Sequence, residues 1–248
     1  MYHSPVPYCG GAPLPDELWT RWNWDPLLLV FLAACLFIAL RLPPGRRGAA
    51  LGLAGLWAFL YVSPFCALGS ALFSARAVHH LALILIAAPL LARAAGGWRI
   101  KGSLSTWTVL QALILWFWHA PAAYEWALSS SLVFWAMQFS ILISAAAFWH
   151  ALARSALPGK IIALFATMMQ MSLLGALIAF AGTALYRPHW LTTQAWDFSP
   201  LADQQMAGLL MWIPGGTLYL AATLYYAWHI LAEPEEQPLT YVGLGDRV

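Results

Sequence analysis

The sequence predicts an all-α fold, a polytopic membrane helical bundle of seven transmembrane helices, and three observations support this prediction. The composition is 62% hydrophobic and only 9% charged, with a mean hydropathy of +0.69, whereas a soluble domain has about 25% charged residues. The apolar residues form continuous runs instead of the period-two alternation of a membrane β-barrel. The few Lys and Arg residues are divided unevenly between successive loops. This composition excludes a disordered chain and an ordinary cytosolic enzyme.

Seven apolar runs approach the length of about 20 residues that a helix needs to cross about 30 Å of hydrocarbon. We interpret residues 1–248 as a single integral membrane domain, with an outer N-terminal segment at 1–23, the seven-helix bundle at 24–231 and a cytoplasmic tail at 232–248. The predicted spans are 24–42, 49–68, 77–95, 104–122, 130–152, 160–185 and 203–231.

The first span follows three tryptophans, Trp19, Trp22 and Trp24, which are typical of the aromatic belt at a membrane interface. The stretch before it contains Asp16 and Glu17 and has no basic n-region. We therefore expect a permanent span and not a cleavable signal peptide.

The distribution of Lys and Arg predicts the orientation. Nine of the twelve lie in the loops after the first, third and fifth spans and in the tail, and three lie in the alternate positions. Because cytoplasmic loops are enriched in Lys and Arg, the N-terminus is predicted outside and the C-terminus in the cytoplasm. The nine are Arg41, Arg46, Arg47, Arg93, Arg99, Lys101, Arg154, Lys160 and Arg247, and the three are Arg21, Arg76 and Arg187.

Polar side chains from separate regions are predicted at one level near the outer face. His80 lies a little over one turn inside the third span, His119 just before the fourth span ends, and Met206 one turn into the seventh. Asp203 begins the seventh span after Pro200, where a carboxylate can cap the helix. Ionisable residues inside a membrane are costly and therefore candidates for function, although a histidine at a helix end can also be a simple hydrogen-bonded residue. We expect His80 and His119 to approach each other.

His79 and His80 point about 100° apart on a helix, so only one of them is expected to face a small site. Arg76 lies one turn earlier. It needs an anionic partner such as Glu125 or Asp203, or else its side chain extends to the outer headgroups.

Imidazole and thioether groups at one level would suit copper. Met168, Met169 and Met171 in the sixth span add further thioethers, although methionine also fills irregular apolar gaps. An N-terminal group such as His3 or Cys9 could complete the ligand set. The predicted metal ligands are His80, His119, Asp203 and Met206, with His79 as a possible substitute.

Three cysteines are too few for a disulfide scaffold. Cys9 and Cys66 are both predicted near the oxidising outer face, where they could pair or where one could be a reactive thiol. Cys35 lies within the first span and is expected to be inert.

One segment resembles a known family. Residues 199–216 read Ser-Pro-Leu-Ala-Asp-Gln-Gln-Met-Ala-Gly-Leu-Leu-Met-Trp-Ile-Pro-Gly-Gly, which is similar to the signature of the CtaG family of membrane proteins that assist cytochrome c oxidase assembly. The resemblance covers residues 76–216 and implies a seven-helix inner-membrane fold linked to haem-copper oxidases and to copper at the outer face. Other motifs in the family's order are His80-Leu81, Ala88-Pro89-Leu90-Leu91, His119-Ala120-Pro121 with Tyr124, and Phe148-Trp149.

Two positions differ from the family pattern, which has histidine where this chain has Arg76 and Gln138. Replacing two imidazoles by a cation and an amide weakens a copper site that depends on them. The resemblance therefore implies a divergent member.

The expected function is assembly of a haem-copper cytochrome c oxidase in the bacterial inner membrane, with copper as the candidate cofactor and with oxidase subunits and lipids, but no nucleic acid, as partners. The alternative is a non-metal accessory or structural subunit of a respiratory oxidase, which Arg76 favours. The sequence has no HExxH, no GxSxG and no transmembrane Asp pair, so an enzyme is not predicted. A haem held by histidines on facing helices is a further alternative.

Overall fold

A computed structural model describes residues 7–97 and 100–232. The chain is 79% helical, with no strand among the described residues. The predicted cytoplasmic tail from 233 onward, and with it Arg247, lies outside the described residues, as do Arg99 and His3. The α-helices are α1 Pro26–Arg41, α2 Pro44–Tyr61, α3 Phe65–Ala71, α4 Phe73–Ala82, α5 Ala88–Ala94, α6 Leu104–His119, α7 Pro121–Ser129, α8 Ser131–Arg154, α9 Leu157–Ala179, α10 Pro200–Leu210 and α11 Gly216–Ala232.

Each predicted span overlaps a helix, but the helices differ in their capacity to cross a membrane. Among the described residues, four helical segments are long and apolar enough: Phe73–Ala94, Ser131–Arg154, Leu157–Ala179 and Pro200–Ala232. The pair α2 and α3 is a fifth if it is counted as one span bent by 46°. The other two predicted spans are α1 and α6 with 16 residues each, about 24 Å at 1.5 Å per residue, which is shorter than the hydrocarbon core.

Local sequence explains where these helices begin. Asp25 caps α1 by accepting a hydrogen bond from the Leu27 amide, and Ser103 and Ser199 cap α6 and α10 in the same way. Prolines occupy the first turns of α1, α2, α7, α9 and α10, where the missing N–H is not needed.

Two long segments contain a π-helical turn next to a proline. Leu83–Ala87 joins α4 to α5 just before Pro89, and Met211–Gly215, which contains Pro214, joins α10 to α11. Proline lacks an N–H and its ring collides with the carbonyl four residues earlier. A wider turn relieves that collision without ending the helix.

The helix α9 packs against α6, α8, α10 and α11. It meets α10 where Gly175 of α9 lies against Gly208 of α10. A Cβ atom added to Gly208 would lie 2.5 Å from the carbonyl oxygen of Gly175 and 2.5 Å from the amide nitrogen of Ala179. Only glycine permits this separation of the two backbones.

The N-terminal segment is tied to the bundle by a disulfide between Cys9 and Cys66, with a Cα–Cα distance of 5.3 Å. Of the two outcomes expected for these cysteines, pairing is the one found. The Tyr8 hydroxyl donates to Asp25 at 2.6 Å, and the Trp196 indole donates to the carbonyl of Pro13 at 3.1 Å. These contacts bring residues 7–24, α3, α7 and the loop 180–199 to the same end of the bundle as the start of α4.

Candidate functional site

The helices α4 and α6 bring two buried histidines together. The ring centroids of His80 and His119 are 5.3 Å apart, with an angle of 80° between the ring planes. His79 lies 6.2 Å from His80 and packs against Tyr61 at 4.9 Å. The depth argument from the sequence therefore identified two residues that meet in the fold.

The nitrogen atoms of these rings are not equivalent. His119 Nδ1 lies 2.7 Å from the carbonyl oxygen of Leu115, so Nδ1 carries the proton and donates it. Its Nε2 atom has no hydrogen-bond partner among the described residues, and neither ring nitrogen of His80 or His79 has one. A neutral imidazole fixed by a carbonyl at Nδ1 keeps the Nε2 lone pair available as a ligand.

Asp203 has a different role from the one expected. Its carboxylate accepts hydrogen bonds from the Phe73 amide at 2.6 Å, from the Ser74 amide at 3.1 Å and from the Ser74 hydroxyl. It therefore caps α4, while Ser199 caps Asp203's own helix. Sequence position places Asp203 in a first turn, but only the packing of α10 on α4 decides which amides it meets.

Met206 lies away from the histidines. On α10 the buried residues are Asp203, Gln204, Ala207 and Gly208, and Met206 lies about 130° from the middle of that arc at 100° per residue. Its side chain is 41% exposed. Gln204, on the buried arc, instead binds the Leu185 amide at 2.6 Å and the carbonyls of Ile178 and Thr183.

The methionines of the sixth predicted span are also divided. Met171 is fully buried, and a Cβ added to Gly215 would lie 2.9 Å from its sulfur, whereas Met169 is exposed. This arrangement matches packing rather than a ligand cluster.

Arg76 is completely buried, so its side chain does not extend to headgroups as one alternative predicted. Its Nη2 atom lies 3.8 Å from the Cys9 sulfur, and its Cζ atom lies 5.2 Å from the centre of the Phe134 ring. Nε and Nη1 have no partner among the described residues. Neither Asp203 nor Glu125, the partners proposed from the sequence, hydrogen-bonds to it there.

Gln138, the second position that departs from the family pattern, is also buried. Its Oε1 atom accepts a hydrogen bond from the Tyr61 hydroxyl at 3.1 Å. Through Tyr61 this amide helps to hold the aromatic surface on which His79 rests.

A buried network beside the histidines escaped the sequence analysis. His189 Nε2 lies 2.7 Å from the Tyr124 hydroxyl, and His189 Nδ1 lies 3.3 Å from the carbonyl of Ala71. The Tyr186 hydroxyl donates to the carbonyl of His119 at 2.7 Å. Burial lowers the pKa of His189 to about 4 and raises the pKa values of Tyr124 and Tyr186. The available signal was the group Tyr186, Arg187 and His189 in a loop predicted on the outer side.

No group of three or more His, Cys, Asp or Glu side chains in residues 7–97 and 100–232 could hold a metal ion. The ligand set expected from the sequence is therefore not assembled among those residues, although His80 and His119 lie side by side. A half-open cleft of about 630 Å³ lies at the same end and is lined by Ser70, Glu125 and Arg187 among others, and none of the predicted ligands lines it.

Comparison with known proteins identifies a family. The cytochrome c oxidase caa3 assembly factor family matches residues 98–233, which is more than half of the chain. No curated protein and no solved structure matches this chain. The matched region contains α6 with His119, the Tyr124–His189 pair and the whole of α10 and α11. The chain therefore belongs to the cytochrome c oxidase caa3 assembly factor family.

Proposed function

We propose that this protein assists the assembly of a haem-copper oxidase in a bacterial inner membrane, acting on oxidase subunits without catalysing a reaction. Family membership supports this role. The apolar helices provide a body that can lie beside membrane-embedded subunits, and large apolar side chains such as Leu27, Phe37 and Trp228 are exposed on it.

The proposed arrangement has seven spans, with the N-terminus outside and α1 and α6 as two short spans. The alternation of Lys and Arg between loops supports it. The Cys9–Cys66 disulfide supports it too, because disulfides persist in oxidising compartments and this one lies at the end predicted to be outside.

We further propose that His80 and His119 take up one Cu(I) ion at that end. The observation that carries this proposal is the pair of adjacent buried imidazoles whose Nε2 atoms are unpartnered among the described residues. The Leu115 carbonyl orients His119, and the surrounding aromatic rings of Phe73 and Tyr186 exclude water. A copper ion held here would supply metal for the oxidase.

A test of the copper proposal uses the purified protein loaded anaerobically with Cu(I) and then washed. We expect about one copper per chain in the wild type and at least a tenfold loss of affinity in His80→Ala and His119→Ala, since a remaining single imidazole binds copper weakly. His150→Ala, at the far end of α8, is the matched control and should retain copper. Active oxidase is measured in membranes carrying each variant.

A second candidate is an accessory protein that carries no metal. The buried guanidinium of Arg76, one turn from His80, favours it because a nearby positive charge raises the cost of binding a cation. Loss of active oxidase in the histidine variants, with no copper retained by the wild type, would support this candidate. Unchanged oxidase in both variants would exclude the pair from function.

A further inference from the structure

Arg76 carries a buried positive charge without a directly bonded counter-charge among the described residues. A guanidinium stays protonated in proteins, and this one has no exposed surface. Burying a charge is costly unless it is paired and hydrogen-bonded. The structure therefore requires a compensating group at Arg76.

The immediate neighbours of the guanidinium are neutral. They are the ring of Phe134, the disulfide sulfur of Cys9 and the backbone of Gly69, where an added Cβ would lie 2.9 Å from Cζ and from Nη2. The phenols of Tyr61 and Tyr124 are also close, and the Tyr124 hydroxyl is near enough to act as a neutral acceptor for the guanidinium. None of these groups supplies a negative charge at neutral pH.

The nearby carboxylate is already engaged. Asp203 is bonded by the first amides of α4 and by the Ser74 hydroxyl. Its charge therefore offsets the positive end of the α4 dipole, where Arg76 is itself in an unfavourable position. Among the described residues, no carboxylate accepts a hydrogen bond from the Nε and Nη1 donors of Arg76.

His79 adds donor capacity at the same place. It follows Arg76 by three residues on α4, so both side chains lie on one side of the helix. A neutral imidazole presents one N–H, and both ring nitrogens of His79 lack a partner among the described residues. The N–H groups on two guanidinium nitrogen atoms and an imidazole N–H, none with an anionic acceptor among the described residues, are suited to an anion and not to a cation.

We propose that Arg76, with His79, binds a small inorganic anion of halide size inside the bundle. Both side chains are completely buried, so a lipid phosphate has no opening through which to reach them, and a halide, the smallest inorganic anion, is the ligand that we propose. A water molecule would satisfy the N–H groups but would leave the charge uncompensated. The proposal of this anion site does not rest on copper binding by His80 and His119.

The test is equilibrium dialysis of the detergent-purified full chain, with the disulfide intact, against radioactive chloride, with gluconate holding the ionic strength constant. The wild type should retain a single chloride, and its thermal midpoint should be higher in chloride than in gluconate, because a ligand of the folded state stabilises it. Arg76→Gln should abolish retention and the chloride dependence of the midpoint. Arg187→Gln, which changes an exposed arginine at the same end, should change neither.

Two further measurements keep the proposal falsifiable if Arg76→Gln fails to fold. Gly69→Ala moves the guanidinium without removing its charge and should weaken chloride binding about tenfold, a loss of about 1.4 kcal/mol. Bromide-soaked crystals of the wild type should give an anomalous peak beside Arg76. A wild type that retains no chloride, or an Arg76→Gln variant that retains as much as the wild type, overturns the proposal.

Discussion

At the scale of single residues, the buried polar groups near α4 differ in how completely they are paired. Asp203 has three donors, and His189 is hydrogen-bonded at both ring nitrogens. His119 is paired at one nitrogen, and His79, His80 and most of Arg76 have no partner among the described residues. An unpaired buried polar group costs free energy in folding. The fully paired residues therefore stabilise the fold, whereas the unpaired ones have donors and acceptors that a ligand could use.

Asp203→Ala should lower the thermal stability more than Asp203→Asn does. Alanine leaves the two amides and the hydroxyl of α4 unpaired, a loss of about 2 kcal/mol or more, whereas asparagine keeps one acceptor oxygen. Ser199→Ala, which removes the cap of α10 itself, should cost only about 1 kcal/mol. Thermal midpoints in detergent measure the stability of the three variants. Equal losses for both Asp203 variants would contradict the role of Asp203 as the cap of α4.

The lowered pKa of His189 predicts that the folded protein loses stability in acid. Its pKa is about 4 in the folded protein because it is buried, and about 6.5 when unfolded. Between these values the unfolded chain binds more protons, so the free energy of unfolding falls as the pH decreases, by about 2 kcal/mol at pH 5. Thermal midpoints from pH 7.5 to 5 should fall more steeply for the wild type than for His189→Gln. Parallel curves would show that His189 does not titrate in this way.

At the scale of elements, α9 and α10 approach each other closely where Gly175 and Gly208 let the backbones meet. The two π-helical turns absorb Pro89 and Pro214 without ending the helices. The position of α10 in turn places Asp203 on the first turn of α4. The glycine contact therefore contributes indirectly to the position of His80.

Gly208→Ala should be strongly destabilising. The new methyl group would meet backbone atoms of Gly175 and Ala179 at 2.5 Å, so the helices must separate, at a cost of about 1–3 kcal/mol for overpacking. Gly55→Ala in α2 is the matched control, since nothing lies within 4 Å of its added Cβ, and it should be neutral or slightly stabilising. Folded yield and thermal midpoint report the difference, and equal behaviour of the two variants would contradict the contact.

At the scale of the whole molecule, the buried network of histidines and tyrosines lies at one end. The disulfide, α3, α7 and the loop 180–199 surround the start of α4, and the histidine pair lies just inside them. Most Lys and Arg residues belong to loops that the sequence predicts at the opposite end. The two ends of the protein are therefore expected to differ in charge.

A reporter fused after residue 248 should be active only in its cytoplasmic form. The physical reason is the excess of Lys and Arg in alternate loops, which favours retention on the cytoplasmic side. A second fusion after residue 21 should report the outer side. Activity of a periplasmic reporter at the C-terminus would contradict both the orientation and an odd number of spans.

The sequence alone determined the helical membrane class, the family signature at Ser199–Gly216 and the approach of His80 to His119, because composition, motif and helix rise are local properties. It did not determine that Asp203 caps α4, that Met206 faces outward, that Arg76 is enclosed or that His189 joins Tyr124. Those facts depend on how helices rotate and pack against partners that are distant in the chain, and a helix's own sequence does not specify which groups its neighbours present to it.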